Sequence, residues 1–484
     1  MMTDMAEEVE LKLELTPEVA NAVEAAGLFS GEPQIVRQYA VYFDTPDHAL
    51  FGAGLSLRIR RNGDVRVQTI KVDGGAAAGL FVRSEWEREV EGDTPIVDDT
   101  TPIPALIGEK VADIAPLFAV ENERRLWNGD GIEIALDRGR VIAGEREAPF
   151  SEVELEQKGG DASALFALAR RIDAVAPVNL GVLSKAERGY RLLLATPSAS
   201  KAPPVALMPA MTAEASFQMI ARACLRHFRL NAPLIRAHQD AGLHQARIAL
   251  RQLRSALSIH KPMLTDGRAH ALNEELRWLA GELGHARDLD VLIKRAGHGP
   301  PLERLRDARA HAYMNAISAL ESDRGRAVVL DVAEWITIGG WLSRSDNRDV
   351  RDLPAREFAG SALDRFRRKL KKSGRNLDGL DDEARHDVRK AAKTLRYAAD
   401  FFAALYRHKR ERRRHARFIS RLASLQEELG VLNDLVSAPG ILHDLGLADD
   451  PHAAKLLGTG QKDDLLKAAA DAYDALVDAK RFWR

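Results

Sequence analysis

Four charged residues alternate with apolar ones near the start of the chain. Glu8, Glu10, Lys12 and Glu14 are interleaved with Val9, Leu11, Leu13 and Leu15. The pattern returns at Glu152, Glu154 and Glu156, around Val153 and Leu155. Carboxylate oxygens are the donors that hard divalent cations prefer. A cation held by them can clamp and polarise an anionic substrate. Residue types and spacing therefore point to a divalent metal held against an anion. Period-two alternation is the mark of a strand with one charged and one apolar face, so strands must carry these groups.

Other segments alternate in the same way. Arg58 and Arg60 oppose Leu57 and Ile59; Thr69 and Lys71 oppose Ile70; Arg83, Glu85 and Glu87 oppose Trp86. Glu133 and Asp137 alternate with Ile132, Ile134 and Leu136. A single strand of this kind is ordinary in an antiparallel sheet with one wetted face. Repetition with both signs of charge suggests a sheet closed into a barrel with a polar interior. Carboxylates gathered there need Lys, Arg or a metal beside them. An interior of both signs suits a metal-bound polyphosphate, with cationic side chains on phosphate oxygens and carboxylates on Mg²⁺ or Mn²⁺. The alternation predicts strands at 7–15, 36–43, 54–61, 64–72, 81–90, 123–128, 132–138, 141–144 and 150–157. Helices are expected at 16–26, 103–110 and 161–174.

These residues resemble the CYTH domain of the triphosphate tunnel metalloenzymes, over about residues 5–195. The resemblance is carried, in order, by Glu8-x-Glu10-x-Lys12, Tyr42-Phe43-Asp44-Thr45, Leu57-Arg58-Ile59-Arg60, Thr69-x-Lys71 and Arg83-x-Glu85-x-Glu87. Arg124, Glu133-Ile134-Ala135-Leu136-Asp137, Glu152-Val153-Glu154-Leu155-Glu156 and Ser184-Lys185-x-x-Arg188-Gly189-Tyr190 continue it. It implies an eight-stranded antiparallel tunnel that takes triphosphate end-on with Mg²⁺ or Mn²⁺. Implied substrate contacts are Arg58, Arg60, Lys71, Arg83, Arg124, Lys185 and Arg188. Implied metal ligands are Glu8, Glu10, Asp137, Glu152, Glu154 and Glu156, and the implied catalytic set is Glu8, Glu10, Lys12, Asp137 and Glu154. Whether Arg124 or Arg125 faces inward is open at this point.

The chain has 484 residues, too many for one ordinary core, and a net charge of −1. That balance conceals two halves. Residues 1–200 hold 34 acidic and 21 basic side chains, and residues 201–484 hold 37 acidic and 49 basic. The first half suits cations and the second suits polyanions. Between them runs a Pro-, Ala- and Ser-rich stretch with little charge. The expected division is a tunnel domain at 1–197, a linker at 198–216 and a helical domain at 217–484.

In the second half the strand signal gives way to amphipathic segments rich in Ala, Leu, Arg and Glu. It also repeats itself. His244, Arg247, Arg251 and Arg254 recur at identical offsets as His386, Arg389, Lys393 and Arg396. Leu283-Gly284-x-x-Arg287-Asp288 recurs as Leu429-Gly430-x-x-Asn433-Asp434. A duplicated helical unit follows, with repeats at about 217–330 and 355–484. At about 100° per residue, each His-Arg run falls within a narrow arc on one helix face. A solvated helix face usually mixes its charges, and like charges on successive turns repel, so an anion is the simple compensation. Arg cannot ligate a metal and acidic co-ligands are missing from the run, which argues against a metal there. This half resembles the CHAD domain, a conserved-histidine α-helical module, over about residues 212–484. The resemblance implies an all-α domain of two pseudo-symmetric four-helix bundles that binds long-chain inorganic polyphosphate through these eight residues. Lys393 departs from the pattern, where Arg is expected; charge is kept and the bidentate fork is lost.

The fold expected is thus multidomain, an antiparallel β-barrel tunnel followed by an all-α domain. The expected activity is metal-dependent hydrolysis of inorganic tripolyphosphate to pyrophosphate and phosphate. A nucleoside or thiamine triphosphatase, or an adenylate cyclase, would use the same tunnel, although no adenine pocket motif is visible. A non-enzymatic polyphosphate-binding protein is the rival from another class, and the many carboxylates argue against it. Few aromatics and no base-reading module argue against specific nucleic-acid binding. A lone cysteine, Cys224, excludes an intrachain disulfide and fits a reducing compartment. No leader and no bilayer-length apolar stretch are seen, so a cytoplasmic protein is expected, associated with polyphosphate granules.

Overall fold

The computed structural model describes residues 8–72, 79–83, 85–194, 198–296, 301–453 and 462–484. The chain divides into two compact units, Met1–Ser198 with Val329–Ile338, and Ala199–Val328 with Gly339–Arg484.

The first unit is built on one antiparallel sheet. Its strands are β1 (Glu8–Leu15), β2 (Gln34–Asp44), β3 (Leu55–Asn62), β4 (Val65–Val72), β5 (Leu80–Arg83), β6 (Glu85–Glu89), β7 (Ala115–Gly129), β8 (Ile132–Ala143), β9 (Arg146–Gln157) and the short β10 (Asn179–Leu180). They run in the order β10-β1-β9-β8-β7-β2-β3-β4-β6, with β5 on β1. β5 and β6 are consecutive in sequence, yet β5 pairs with β1 and β6 pairs with β4. One passage of chain is thus bonded to both ends of the sheet, and the sheet closes on itself as a tunnel.

The charged faces point inward and the apolar faces point outward. Leu57, Ile59 and Ile70 lie outside, in a cluster with Phe43, Leu50, Leu55 and Ile103. The helices α1 (Pro17–Ala25), α2 (Ala49–Gly52), α3 (Ile103–Ile107) and α4 (Ser163–Val175) belong to this unit, and α1, α2 and α4 pack on its strands. A fifth helix, α5 (Lys185–Leu193), packs against β7, β8 and β9. Its Ala186 and Tyr190 share a cluster with Tyr42, Phe118, Val120, Val141 and Phe150. Those five project from the same strand faces as the charged residues, so α5 fills one end of the interior.

Four expectations need correction. The expected strand 81–90 is two strands, β5 and β6, paired to opposite ends of the sheet. β7 begins at Ala115 and not near 123, because Phe118, Val120 and Asn122 already alternate inward and the polar Asn122 hides the pattern. The segments 132–138 and 141–144 form one strand, β8. Gly139 reads as a break in sequence, yet a Cβ there would meet the Glu121 carbonyl at 2.2 Å and the Phe150 ring at 2.8 Å. Close approach, not a turn, requires that glycine. Helix α5 lies outside the expected helices, although Ser184 and Glu187 form a capping box at its start.

The second unit is helical. In chain order its helices are α6 (Ala213–Arg236), α7 (Asp240–His260), α8 (Arg268–Ala296), α9 (Pro301–Glu321), α10 (Asp323–Ile338), α11 (Arg348–Arg351), α12 (Ala355–Ser373), α13 (Asp382–Phe401), α14 (Lys409–Asp444) and α15 (Lys462–Val477); the last turns of α10 fall in the first unit. α6, α7, α8 and α9 pack in succession, as do α12, α13, α14 and α15, and the two sets meet where α7 packs on α13. α7 and α13 are the two His-Arg helices, which puts the duplicated motifs at the junction of the bundles.

Candidate functional site

Strand register builds the tunnel site row by row. Glu14, Glu152, Asp137 and Arg124 stand side by side across β1, β9, β8 and β7. Lys12 stands beside Glu154, and Glu10 beside Glu156 and then Glu133. The far wall comes from β3, β4 and β6, where Arg58 faces Thr69 and Glu87, and Lys71 faces Glu85. The enclosed cavity is about 680 Å³, and Glu10, Lys12, Arg58, Arg60, Lys71, Arg124, Glu154, Glu156 and Lys185 line it.

Lys185 Nζ lies 2.7 Å from Asp137, 2.6 Å from Glu152 and 2.8 Å from Glu154. Lys12 Nζ is 2.7 Å from Glu154 and 3.3 Å from Glu152. Arg124 grips Asp137 with two parallel bonds of 2.8 and 2.6 Å and also donates to Glu154. Burial opposes charge on Glu154, but Lys12, Lys185 and Arg124 outweigh it and hold the carboxyl well below its ordinary range. Asp137 and Glu152 are lowered in the same way, and Lys185 is raised by its three carboxylates against the cost of burial. All are charged partners in one network.

The opposite wall has surplus positive charge. Arg60 is pushed down to about 10, first by the charge of Arg58 and then by burial. The Nε atoms of Arg58 and Arg60 are buried without a hydrogen-bond partner among the described residues. Nearby carboxylates only partly compensate: Arg60 sits 3.7 Å from Glu87, and Lys71 sits 3.0 Å from Glu85.

The expected residues divide into groups. Lys12, Arg58, Arg60, Lys71, Arg124, Lys185, Glu10, Glu154 and Glu156 meet in the cavity wall. Asp137 and Glu152 lie behind that wall, each with 0% exposure. Their ligand atoms and that of Glu154 nonetheless fall within 4.8 Å of one another. Arg188 stands apart from the lining, 3.4 Å from Glu14 and from Glu152. The side chains of Glu8 and Arg83 lie outside the described residues. Arg124 faces inward, while Arg125 reaches Glu24 of α1. Residues without an expected role also line the cavity, among them Tyr42, Thr69, Glu85, Glu87, Glu133 and Lys158. Parity on their strands was the available signal for Thr69, Glu85, Glu87 and Glu133.

In the helical unit the two stripes merge into one basic patch. Lys393 is lowered to about 7 by burial and by Arg251, Arg389 and Arg247, so cations from α7 and α13 face one another. His244 is lowered to about 4 by burial and by Arg287, Arg251 and Arg247. His386 instead meets the Asn433 side chain at 3.0 Å. At the outer ends of the stripes Arg254 donates to Asn273 and Arg396 to Gln426, each at 3.2 Å, and Arg396 also lies 3.8 Å from Asp400.

A tunnel of inward charges followed by paired helical bundles defines a two-domain class. Residues 6–190 match the CYTH domain family and residues 219–443 match the CHAD domain family. The chain is a CYTH domain followed by a CHAD domain. It is 30% identical over 209 residues to the inorganic triphosphatase of Haemophilus influenzae, an alignment taking in 39% of this chain and 55% of that protein. The chain thus spans about half the length of that curated relative. It is also 24% identical over 399 residues to an uncharacterized protein of Mycobacterium tuberculosis, covering 74% of this chain and 75% of that protein. The crystal structure of the CHAD domain from the plant Ricinus communis superposes with a TM-score of 0.50 at 27% identity, covering 59% of this chain and 98% of that one. Among the described residues no helix is long and apolar enough to cross a membrane.

Proposed function

We propose that the tunnel hydrolyses inorganic tripolyphosphate to pyrophosphate and phosphate with the help of Mg²⁺ or Mn²⁺, and that the helical domain binds long-chain inorganic polyphosphate. The polarised cavity carries this reading. One wall holds Arg58 and Arg60 in mutual repulsion with buried, unspent N–H groups, and the other holds carboxylates. A polyanion supplies the missing countercharge on the first wall. Asp137, Glu152 and Glu154 offer only oxygen donors within one cation's reach, a donor type that suits Mg²⁺ or Mn²⁺ and not a soft metal; the Lys185 ammonium holds that place and would have to give it up to the ion. Bound there, the ion would neutralise phosphate charge as a Lewis acid.

The side chains have separable tasks in this account. Arg58, Arg60, Lys71, Arg124, Lys12 and Lys185 hold phosphate oxygens, and Arg83 and Arg188 extend the set. As water adds to the terminal phosphorus and the bond to the leaving pyrophosphate breaks, these cations stabilise charge shifting onto both groups. Glu10, Glu154 and Glu156 face the same space and are the oxygens available to orient the attacking water. Glu8 completes the acidic set in this reading. Among the described residues that line the cavity Tyr42 is the one aromatic ring, which favours an inorganic substrate over a nucleotide.

Phosphate release by Arg58→Ala and Arg60→Ala tests the tunnel. Each should lose roughly a hundredfold in kcat/KM for tripolyphosphate; wild-type rates in both would overturn the assignment. The reading of His244, Arg247, Arg251, Arg254, His386, Arg389, Lys393 and Arg396 as polyphosphate contacts rests on the merged basic patch. Competition tests it: polyphosphate should displace labelled polyphosphate far better than duplex DNA at equal charge.

A further inference from the structure

Glycine is a poor residue in a helix interior. The duplicated Leu-Gly pairs nevertheless put Gly284 inside α8 and Gly430 inside α14. Each helix packs on the one that bears its own repeat's arginines, α8 on α7 and α14 on α13. The two glycines differ in what lies over them. A Cβ on Gly284 would stand 2.7 Å from Nη1 of Arg247. A Cβ on Gly430 would stand 3.8 Å from Nη2 of Arg389, an ordinary contact. Gly281, one turn before Gly284 on the same helix, has nothing within 4 Å of its Cβ position.

The guanidinium lying over Gly284 is not spent on the protein. Nη1 of Arg247 is buried and has no hydrogen-bond partner among the described residues, and Nε of Arg251 and of Arg389 are in the same state. Asp288 favours the charge of Arg247, while burial, Arg251 and Arg287 oppose it. Buried donors on a cation among other cations call for an anionic acceptor. With a methyl group at position 284 the guanidinium has to leave this place, and its flexible stem lets it do so without moving the helix backbone.

We infer that Gly284 is a positioning residue for the anion site of the helical domain: it leaves the hollow in α8 that holds the Arg247 guanidinium toward the basic patch. Its counterpart Gly430 has no such duty. The inference rests on the polyphosphate reading above. It also accounts for the Leu-Gly pair following the His-Arg run in the first repeat, a motif that the phosphate contacts alone leave unexplained.

The test is binding of a fluorescent polyphosphate of defined length to the full chain at fixed salt. The variants are Gly281→Ala, Gly284→Ala, Gly430→Ala, Arg247→Ala and the Gly284→Ala/Arg247→Ala pair. Gly284→Ala should weaken binding roughly ten- to a hundredfold, the loss of a charge-assisted contact. Gly281→Ala and Gly430→Ala should stay within about twofold of wild type. In the Arg247→Ala background, Gly284→Ala should add nothing, because its effect runs through that side chain. Wild-type binding by Gly284→Ala, with Arg247→Ala weakened, overturns the positioning role and leaves the polyphosphate reading standing. Failure of the wild type to bind polyphosphate, or full affinity in Arg247→Ala, brings down that reading and the inference with it. Should Gly284→Ala lose its helical signal, recovery in the double variant supports the clash with the guanidinium. A loss that persists there overturns it.

Discussion

Lys185 shows how tightly single residues are committed in the tunnel. Its ammonium is shared by three carboxylates, two of them with 0% exposure. Lys185→Met would remove the one cation common to all three and leave Lys12, Arg124 and Arg188 to compensate them in part, and we expect a loss of roughly 3 kcal/mol in denaturant unfolding. The same carboxylates set an acid limit. Their folded values lie below their unfolded ones, so their contribution is complete above about pH 4.5 and is lost as pH falls through the folded values. Arg60 is the opposite case, since Arg58 already disfavours its charge. Arg60→Ala should cost turnover without lowering the thermal midpoint. His260 supplies a second pH dependence, in the helical domain. Burial holds it down to about 4, and it stacks on Phe358 with ring centroids 4.9 Å apart. The unfolded chain takes up a proton below about pH 6.5 and the folded chain does not until about 4, so stability falls as pH drops through that window. The difference amounts to about 3 kcal/mol at most. His260→Phe should flatten the stability profile between those values, and an unchanged slope would contradict the assignment.

Helix α5 is the element on which the tunnel depends most. It closes one end of the interior with Ala186 and Tyr190 and presents Lys185 to the carboxylates. Its start is held by Ser184, whose oxygen accepts from the Glu187 backbone N–H at 3.1 Å. Ser184→Ala should cost about 1 kcal/mol of stability and raise KM for tripolyphosphate, as Lys185 loses its fixed origin. This helix is also where sequence reading fell short. Strands announce themselves by alternation, and β1, β3, β4 and β9 were legible because polar and apolar residues alternate over most of each; 81–90 reads as one strand because nothing in its alternation marks that β5 and β6 join opposite ends of the sheet. α5 is only nine residues long, yet its apolar and charged side chains fall on separate faces and Ser184 with Glu187 marks its start, so the signal was there to be read. β7 and β8 were legible only in part, because Asn122 and Gly139 occupy inward positions where an apolar pattern would be expected. The site divides along the same line. Strand parity identifies which charges point inward, but not depth: Asp137 and Glu152 lie behind the wall, and Glu133 lines it, because cross-strand register is not written in any one strand.

At the scale of the whole molecule the charge division has a chemical meaning. The acidic half encloses its carboxylates in a closed sheet, and the basic half brings two separate helix motifs to one junction. Replacing Arg247, Arg251, Arg389 and Lys393 together with alanine should abolish most polyphosphate affinity and flatten its salt dependence. Tripolyphosphate turnover should remain unchanged in that variant; an equal fall in turnover would mean that the two sites are coupled. The central claim is that the tunnel is a metal-assisted triphosphatase. The most direct measurement is phosphate release from tripolyphosphate, ATP and thiamine triphosphate, with Mg²⁺, Mn²⁺ or chelator, by the native chain and by Glu154→Ala. The account predicts rapid, metal-dependent release from tripolyphosphate above the other two, and its loss in the variant. Absence of turnover of any substrate, with polyphosphate binding intact, would contradict it and make the tunnel a binding device.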